Sequence, residues 1–310
     1  MVDAVLQRVE ARSPARQRSS LRKHMQRKSS IAFFMALPLI LLIALLVIYP
    51  ALYSLHLATL NKTMQRFVGL SNFTFLFKRE TFWMVVQQSC IFAITAVIFK
   101  ALIGFIVAHF VHNIPAKGQR KWRGMLLIPW VIPPAMSTLA WLWLFDPSYS
   151  AFNWILTHLG LDGIPWLGNP YWARAGVILV NVWVGSPFFM IMYLAALKSV
   201  PEQLHEAAAI DGASWFQKIW YVNLPMMANI IQITALFSLI VTFANFDIVR
   251  IITAGGPIDQ THVFATWSFW LGIQGGDIPL GAAVSLFMVP ILSVAAVFIL
   301  RDINRRGNEA

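Results

Sequence analysis

Apolar residues come along this chain in long blocks, with the polar residues clustered between them. The blocks cover about 32–56, 82–110, 122–145, 171–197, 225–252 and 279–300. Each is at least as long as the roughly 20 residues a helix needs to cross a bilayer. In lipid a helix satisfies its backbone N–H and C=O groups within one segment, so each block predicts a helix. The pattern therefore predicts an all-α integral membrane protein with six transmembrane helices. Pro129, Pro133 and Pro134 fall in the third block and predict that it is kinked or starts irregularly. Between the third and fourth blocks, 146–170 holds one short amphipathic run, Phe152 to Leu159.

Composition agrees with this pattern. The chain is 58% hydrophobic and 12% charged, where a soluble domain carries about a quarter charged residues. The net charge of +11 would fit a nucleic-acid binder, but the positions of the charges do not. Residues 1–30 form a basic tail with no interleaved aromatics, read as a disordered cytoplasmic extension; 31–310 form the transmembrane domain. With the N-terminus in the cytoplasm, 17 Lys and Arg residues fall inside and five outside. This is the positive-inside bias of a plasma-membrane protein with both termini cytoplasmic, and it leaves no role for nucleic acid. Cys90 is the only cysteine, the seven histidines are scattered, and no phosphate-cradling G-x-x-x-x-G-K-[ST] occurs. No metal site, catalytic residue or cofactor is expected in this chain.

A polar stretch within the membrane domain, 199–225, lies between the fourth and fifth blocks on the cytoplasmic side. Ser199-Val-Pro-Glu202 fits a capping box opening a short helix that runs to about Asp211. Gly212 suits a helix stop and tight turn. Ser214-Trp-Phe-Gln217 fits a second capping box, for a short helix to about Asn223, after which Pro225 opens the next span. Leu204, Ala207, Ala208 and Asp211 share one face of the first helix, while Trp215, Phe216, Ile219 and Trp220 form an apolar face on the second. Taken by itself, such a pair is an amphipathic loop lying on the membrane.

The spacing is more specific than that. Glu206-Ala207-Ala208, Gly212 and Val222-Asn223-Leu224-Pro225 follow E-A-A-x3-G-x9-hydrophobic-x-L-P. This resembles the cytoplasmic loop of permease subunits of binding-protein-dependent ABC importers; Val222 stands where isoleucine is commoner. "LIPWVIPPAMSTLAWLWLFDP" (127–147) and "FDIVRIITAGGP" (246–257) resemble the third span and the end of the fifth span in the carbohydrate-uptake branch, of the maltose and glycerol-3-phosphate permease type. The resemblance implies a coupling helix pair at 199–225 that docks on a separate ATPase, with Glu206, Ala207, Ala208, Asp211, Gly212 and Pro225 as its residues. It also implies a second homologous permease, two ATPase subunits carrying ATP and Mg, and an extracytoplasmic binding protein.

Candidate path residues are neutral and polar or aromatic, as a carbohydrate requires. Thr234, Ser238, Thr242 and Asn245 form one stripe on the fifth span, which either lines a water-filled path or bonds across a helix interface. Trp141, Asn181 and Trp183 are further candidates. Asp247 and Arg250 are spaced i, i+3 and read as a structural ion pair. Lys100 lies within the second span, either with a functional role or snorkelling to the interface. The expected function is half of the pathway of an ATP-driven sugar importer. The alternatives are import of a phosphorylated polyol, which requires basic residues facing the path, and a self-contained secondary transporter.

Overall fold

The structure is a computed structural model that describes residues 28–309, so most of the basic tail lies outside the described residues. The chain divides into two units, 1–53 and 54–310. Helix α1 (Lys28–Ile43) continues through a π-helical segment, Ala44–Ile48, into α2 (Tyr49–Ala58). There follow α3 (Ser71–Phe77) and α4 (Glu80–Asn113). Among the described residues there is no β-strand, only an isolated bridge between Leu60 and Phe67. Among the described residues, five helical stretches are long and apolar enough to cross a membrane: Ala32–Ala58, Glu80–Asn113, Pro170–Ser199, Trp215–Phe243 and Ile278–Ile303.

The third block departs from the predicted single span. It is divided among α5 (Ala116–Leu126), α6 (Ile128–Val131) and α7 (Pro134–Leu144). A proline ring disfavours helical backbone at the residue before it. Ile132 precedes Pro133 and Pro133 precedes Pro134, and both are extended, with ψ of 133° and 127°. After α8 (Ala151–His158), close to the predicted run, α9 (Pro170–Ser199) crosses as one helix despite Pro187.

Two boundaries around the polar stretch also differ. Ser199 does not cap a helix; it ends α9, and its hydroxyl donates to Ala196 O at 2.7 Å. Pro201 holds Val200 extended and is itself the N-cap of α10 (Glu202–Ile210). The second short helix is not separate either. α11 (Trp215–Lys218) passes through a π-helical segment, Ile219–Asn223, into α12 (Leu224–Phe243). The widened turns lie where Pro225 removes the bond to Tyr221.

The fifth block ends early. α12 stops at Phe243, and a separate α13 (Asp247–Ile252) follows. Asn245 lies in the break, where its Oδ1 accepts from the Ile248 N–H at 3.2 Å, so it has left the stripe on α12. The predicted Asp247–Arg250 ion pair does not form: no contact within 4 Å joins the two charged groups. Arg250 instead stands over the Phe269 ring at 5.3 Å, where the aromatic face attracts the guanidinium. The chain ends with α14 (Phe264–Phe269), a π segment Trp270–Gln274, α15 (Ile278–Leu286) and α16 (Met288–Glu309).

α4 and α9 form the main internal helix pair. Gly104 and Ala108 of α4 lie against Phe189 and Met190 of α9, in a core completed by Tyr193, Leu197 and Met227. A second core packs Phe82, Val85 and Ala93 of α4 against Phe243, Phe264 and Trp267. A third joins Phe145 and Val177 to Ile248, Val249 and Ile252 of α13. On its opposite side α4 exposes Ile98, Leu102, Ile106 and Phe110, as a helix surrounded by lipid or another apolar surface would.

Candidate functional site

The polar stretch folds into a projecting helix with a defined stop. Gly212 has φ +73°. Its N–H donates to Ala209 O at 3.1 Å, and the Ala213 N–H donates to Ala208 O at 2.8 Å. Together these bonds form a Schellman motif, which satisfies the last carbonyls of α10. Ser214 then opens α11 with the predicted capping box: Ser214 Oγ accepts from Gln217 N, and Gln217 Oε1 accepts from Ser214 N. Glu206, Ala207 and Asp211 are exposed and Ala208 is half-buried. Ile210, the last helical residue, is 87% exposed. No residue of α10 is buried, so this helix presents its side chains outward, with Ile210 at its tip.

The root of the element is pinned to α4. His109 Nδ1 lies 2.9 Å from Phe105 O, and its Nε2 lies 3.3 Å from Nδ2 of Asn223, a residue of the E-A-A spacing. The bond to a carbonyl requires a proton on Nδ1, which leaves Nε2 to accept from Asn223. A buried polar contact thereby ties the π segment after α11 to the C-terminal end of α4.

The stripe on α12 turns inward. Thr234, Ser238 and Thr242 are buried; Thr234 donates to Ile230 O of its own helix at 2.6 Å. Ser238 and Thr242 accept from Lys100 Nζ, at 3.3 and 2.7 Å. Of the two readings of the stripe, this is the bond across a helix interface, and the lysine does not snorkel. Asn181 is buried on α9, and its Oδ1 has no hydrogen-bond partner. Trp141 and Trp183 meet edge to face at 5.6 Å, and Trp141 stacks on Phe152 of α8 at 5.9 Å. Trp183 also lines a cavity of about 330 Å³ with Ile103, Met125, Pro129, Ser186 and Met190. The structure thus gathers Ser238 and Thr242 around Lys100, brings the two tryptophans together, and sets Asn245 apart in the helix break.

At the end of α13, 253–263 forms a tightly built loop. Ala254, Gly255, Ile258 and Asp259 all have positive φ. Thr261 Oγ1 bonds Thr253 Oγ1 at 2.7 Å and Gly256 O at 2.6 Å. The buried His262 ring covers Gly255 and bonds Thr266 Oγ1 at 3.1 Å. Burial holds this imidazole below its ordinary pKa, against the opposing pull of Asp259 3.6 Å away. A Cβ at residue 255 would overlap the ring, and φ there is +94°. Gly255→Ala is therefore expected to loosen the loop, read as at least a tenfold loss of hydrogen-exchange protection at the amides of 256 and 261, with α4 and α9 unchanged.

The sequence reading did not identify Gly104, Gly185 or the His109–Asn223 link. The two glycines had a signal: each lies inside an apolar helix, where glycine is costly unless another group approaches closely. His109 had none, because its partner is more than a hundred residues away.

Comparison with known proteins follows the same lines. Residues 100–306 match the family described as binding-protein-dependent transport system inner membrane component. The trehalose/maltose transport system permease protein of Thermococcus litoralis is 31% identical over 278 residues, covering 88% of this chain and 94% of that protein. The sulfoquinovosyl glycerol transport system permease protein of Agrobacterium fabrum is 28% identical, covering 87% and 89%. A solved bacterial ABC transporter involved in the import of the acidic polysaccharide alginate has a chain of the same fold, with a TM-score of 0.80 at 24% identity over 92% of this chain and 98% of that one. With two thirds of its length matched by the family model and the E-A-A stretch folded as a projecting helix, this chain belongs to the family of inner membrane components of binding-protein-dependent transport systems.

Proposed function

We propose that the chain is one permease subunit of an ATP-driven carbohydrate importer and that α10 is the helix through which ATP hydrolysis moves the bundle. The observation that carries this reading is α10 itself: a helix with no buried residue, an acidic side chain at Glu206, and an apolar tip at Ile210. A surface of this kind fits a cleft on another protein, with Ile210 as the anchor and Glu206 against a basic group. The stop at Gly212 and the capping box at Ser214 hold the helix in a set orientation. The His109–Asn223 contact then passes its displacement to α4. α10 lies in the cytoplasm, a placement the distribution of basic residues supports, and the loop 253–263, past the other end of α12, faces the extracytoplasmic binding protein. A second permease completes the pathway.

The relatives named for trehalose/maltose and sulfoquinovosyl glycerol support a carbohydrate as cargo. The test is purification from the native membrane with crosslinking through a cysteine at Glu206. Recovery of an ATPase subunit crosslinked at 206, with hydrolysis stimulated by a saccharide and a binding protein, is the expected result. A chain that purifies alone and transports without ATP would overturn the reading and favour a secondary transporter.

A further inference from the structure

Lys100 lies 20 residues into the 34-residue helix α4 and is 4% exposed. Its stem is held against α9: a Cβ at Gly185 would come within 2.5 Å of Lys100 Cδ and 3.0 Å of Cε. Among the described residues its Nζ bonds only the two hydroxyls of α12, Ser238 and Thr242. No carboxylate lies within 4 Å among the described residues. Two neutral oxygens satisfy two of three N–H groups and do not balance an ammonium charge in a low-dielectric interior. A lysine serving only to join three helices would be replaceable there by an apolar side chain of similar volume.

The surroundings point to a ligand. Two residues past Thr242, α12 breaks at 244–246. Helices interrupted along their length border transported ligands in many transporters. One turn from Gly185 on α9, the buried Oδ1 of Asn181 accepts from nothing. An unpartnered acceptor thus lies one helical turn from the glycine that holds the Lys100 stem, and Thr242, which accepts from Nζ, lies beside the break.

We propose that Lys100 determines specificity for an anionic carbohydrate, one whose carboxylate, sulfonate or phosphate replaces Ser238 and Thr242 on Nζ while a sugar hydroxyl donates to Asn181 Oδ1. The proposal rests on the importer reading. Ser238 and Thr242 hold the ammonium between transport cycles. The break beside them gives the acid group its approach, and the flexible four-carbon stem of lysine lets the charge follow it. A neutral sugar of the same size leaves the ammonium on its hydroxyls and gains nothing from it.

The test uses the complete transporter, with its ATPases and binding protein, in proteoliposomes. Stimulated ATP hydrolysis is compared for digalacturonate and glycerol-3-phosphate against their neutral counterparts galactobiose and glycerol. At least one anionic probe is expected to stimulate at a concentration a hundredfold below its neutral counterpart, and Lys100→Met is expected to reduce that preference at least tenfold per assembled complex. The wild-type comparison stands even if the variant fails to assemble. Hydrolysis driven equally well by neutral sugars overturns the proposal and leaves the importer reading intact. So does an anionic preference that survives Lys100→Met. Absence of any coupled ATPase overturns the importer reading, and the proposal with it.

Discussion

Ile210→Asp is expected to release the ATPase subunits from the purified complex while leaving the permease folded. Ile210 is 87% exposed at the end of α10, so it contributes little to the stability of the chain itself. Surface substitutions of this kind usually change stability by no more than about 0.5 kcal/mol. At the interface the balance differs. Burying an isoleucine side chain is worth about 1.5–3 kcal/mol, and an aspartate in its place brings an unpaired carboxylate into the same pocket. Since every 1.4 kcal/mol is about tenfold in affinity, the loss exceeds about a hundredfold. The measurement is the amount of ATPase retained per permease on affinity purification, with the thermal midpoint of the permease measured alongside. Ile210→Leu, which keeps the apolar tip, is expected to retain the ATPase. Full retention with Ile210→Asp would remove α10 as the docking helix.

The second large effect is on stability. Gly104→Leu is expected to disrupt the α4–α9 pair. Even a Cβ at residue 104 would overlap Phe189 Cβ and come within 3.0 Å of Met190 N and Phe189 C. Two of those three atoms are backbone, so no rotamer change relieves the clash and the helices must separate. Overpacking of this kind costs about 1–3 kcal/mol, and separation also weakens the core around Ala108, Tyr193 and Met227. The expected outcome is a fall of at least 10 °C in the midpoint for retention of monodisperse protein, with Gly104→Ala intermediate. Gly124 provides the internal control: a Cβ there meets nothing within 4 Å, so Gly124→Ala is expected to be neutral or slightly stabilising. Equal effects at 104 and 124 would mean that the close approach of α4 and α9 is not what holds the pair.

Both predictions depend on features the sequence reveals unequally. The projecting helix was legible almost to the residue, because a Schellman glycine and a capping box are local devices and their sequence separations determine their geometry. Its start was misplaced: Ser199-x-x-Glu202 has the letters of a capping box, but Pro201 restricts Val200 and assigns the serine to the preceding helix. The fifth span was read as one helix because hydropathy is blind to a break in which every residue but Asn245 and Asp247 remains apolar or small. There a single side-chain-to-backbone bond, Asn245 to Ile248, competes with the helix. The Asp247–Arg250 pair failed for a related reason: spacing brings two charges within reach of each other, but the Phe269 ring, nineteen residues on, offered the guanidinium a surface the spacing could not show.

By itself the sequence determined what depends on period, length and local turn chemistry: an all-helical membrane chain, most of its spans, the prolines that divide the third block, and the helix stop at Gly212. Only the tertiary structure decided which way the α12 stripe faces. A row of hydroxyls at helical spacing is the same row whether it lines water or meets another helix. Here Lys100 of α4, 138 and 142 residues before its two partners, reaches across to Ser238 and Thr242 because Gly185 of α9 leaves room for its stem. That arrangement comes from three helices packing together, and no window along one of them contains it.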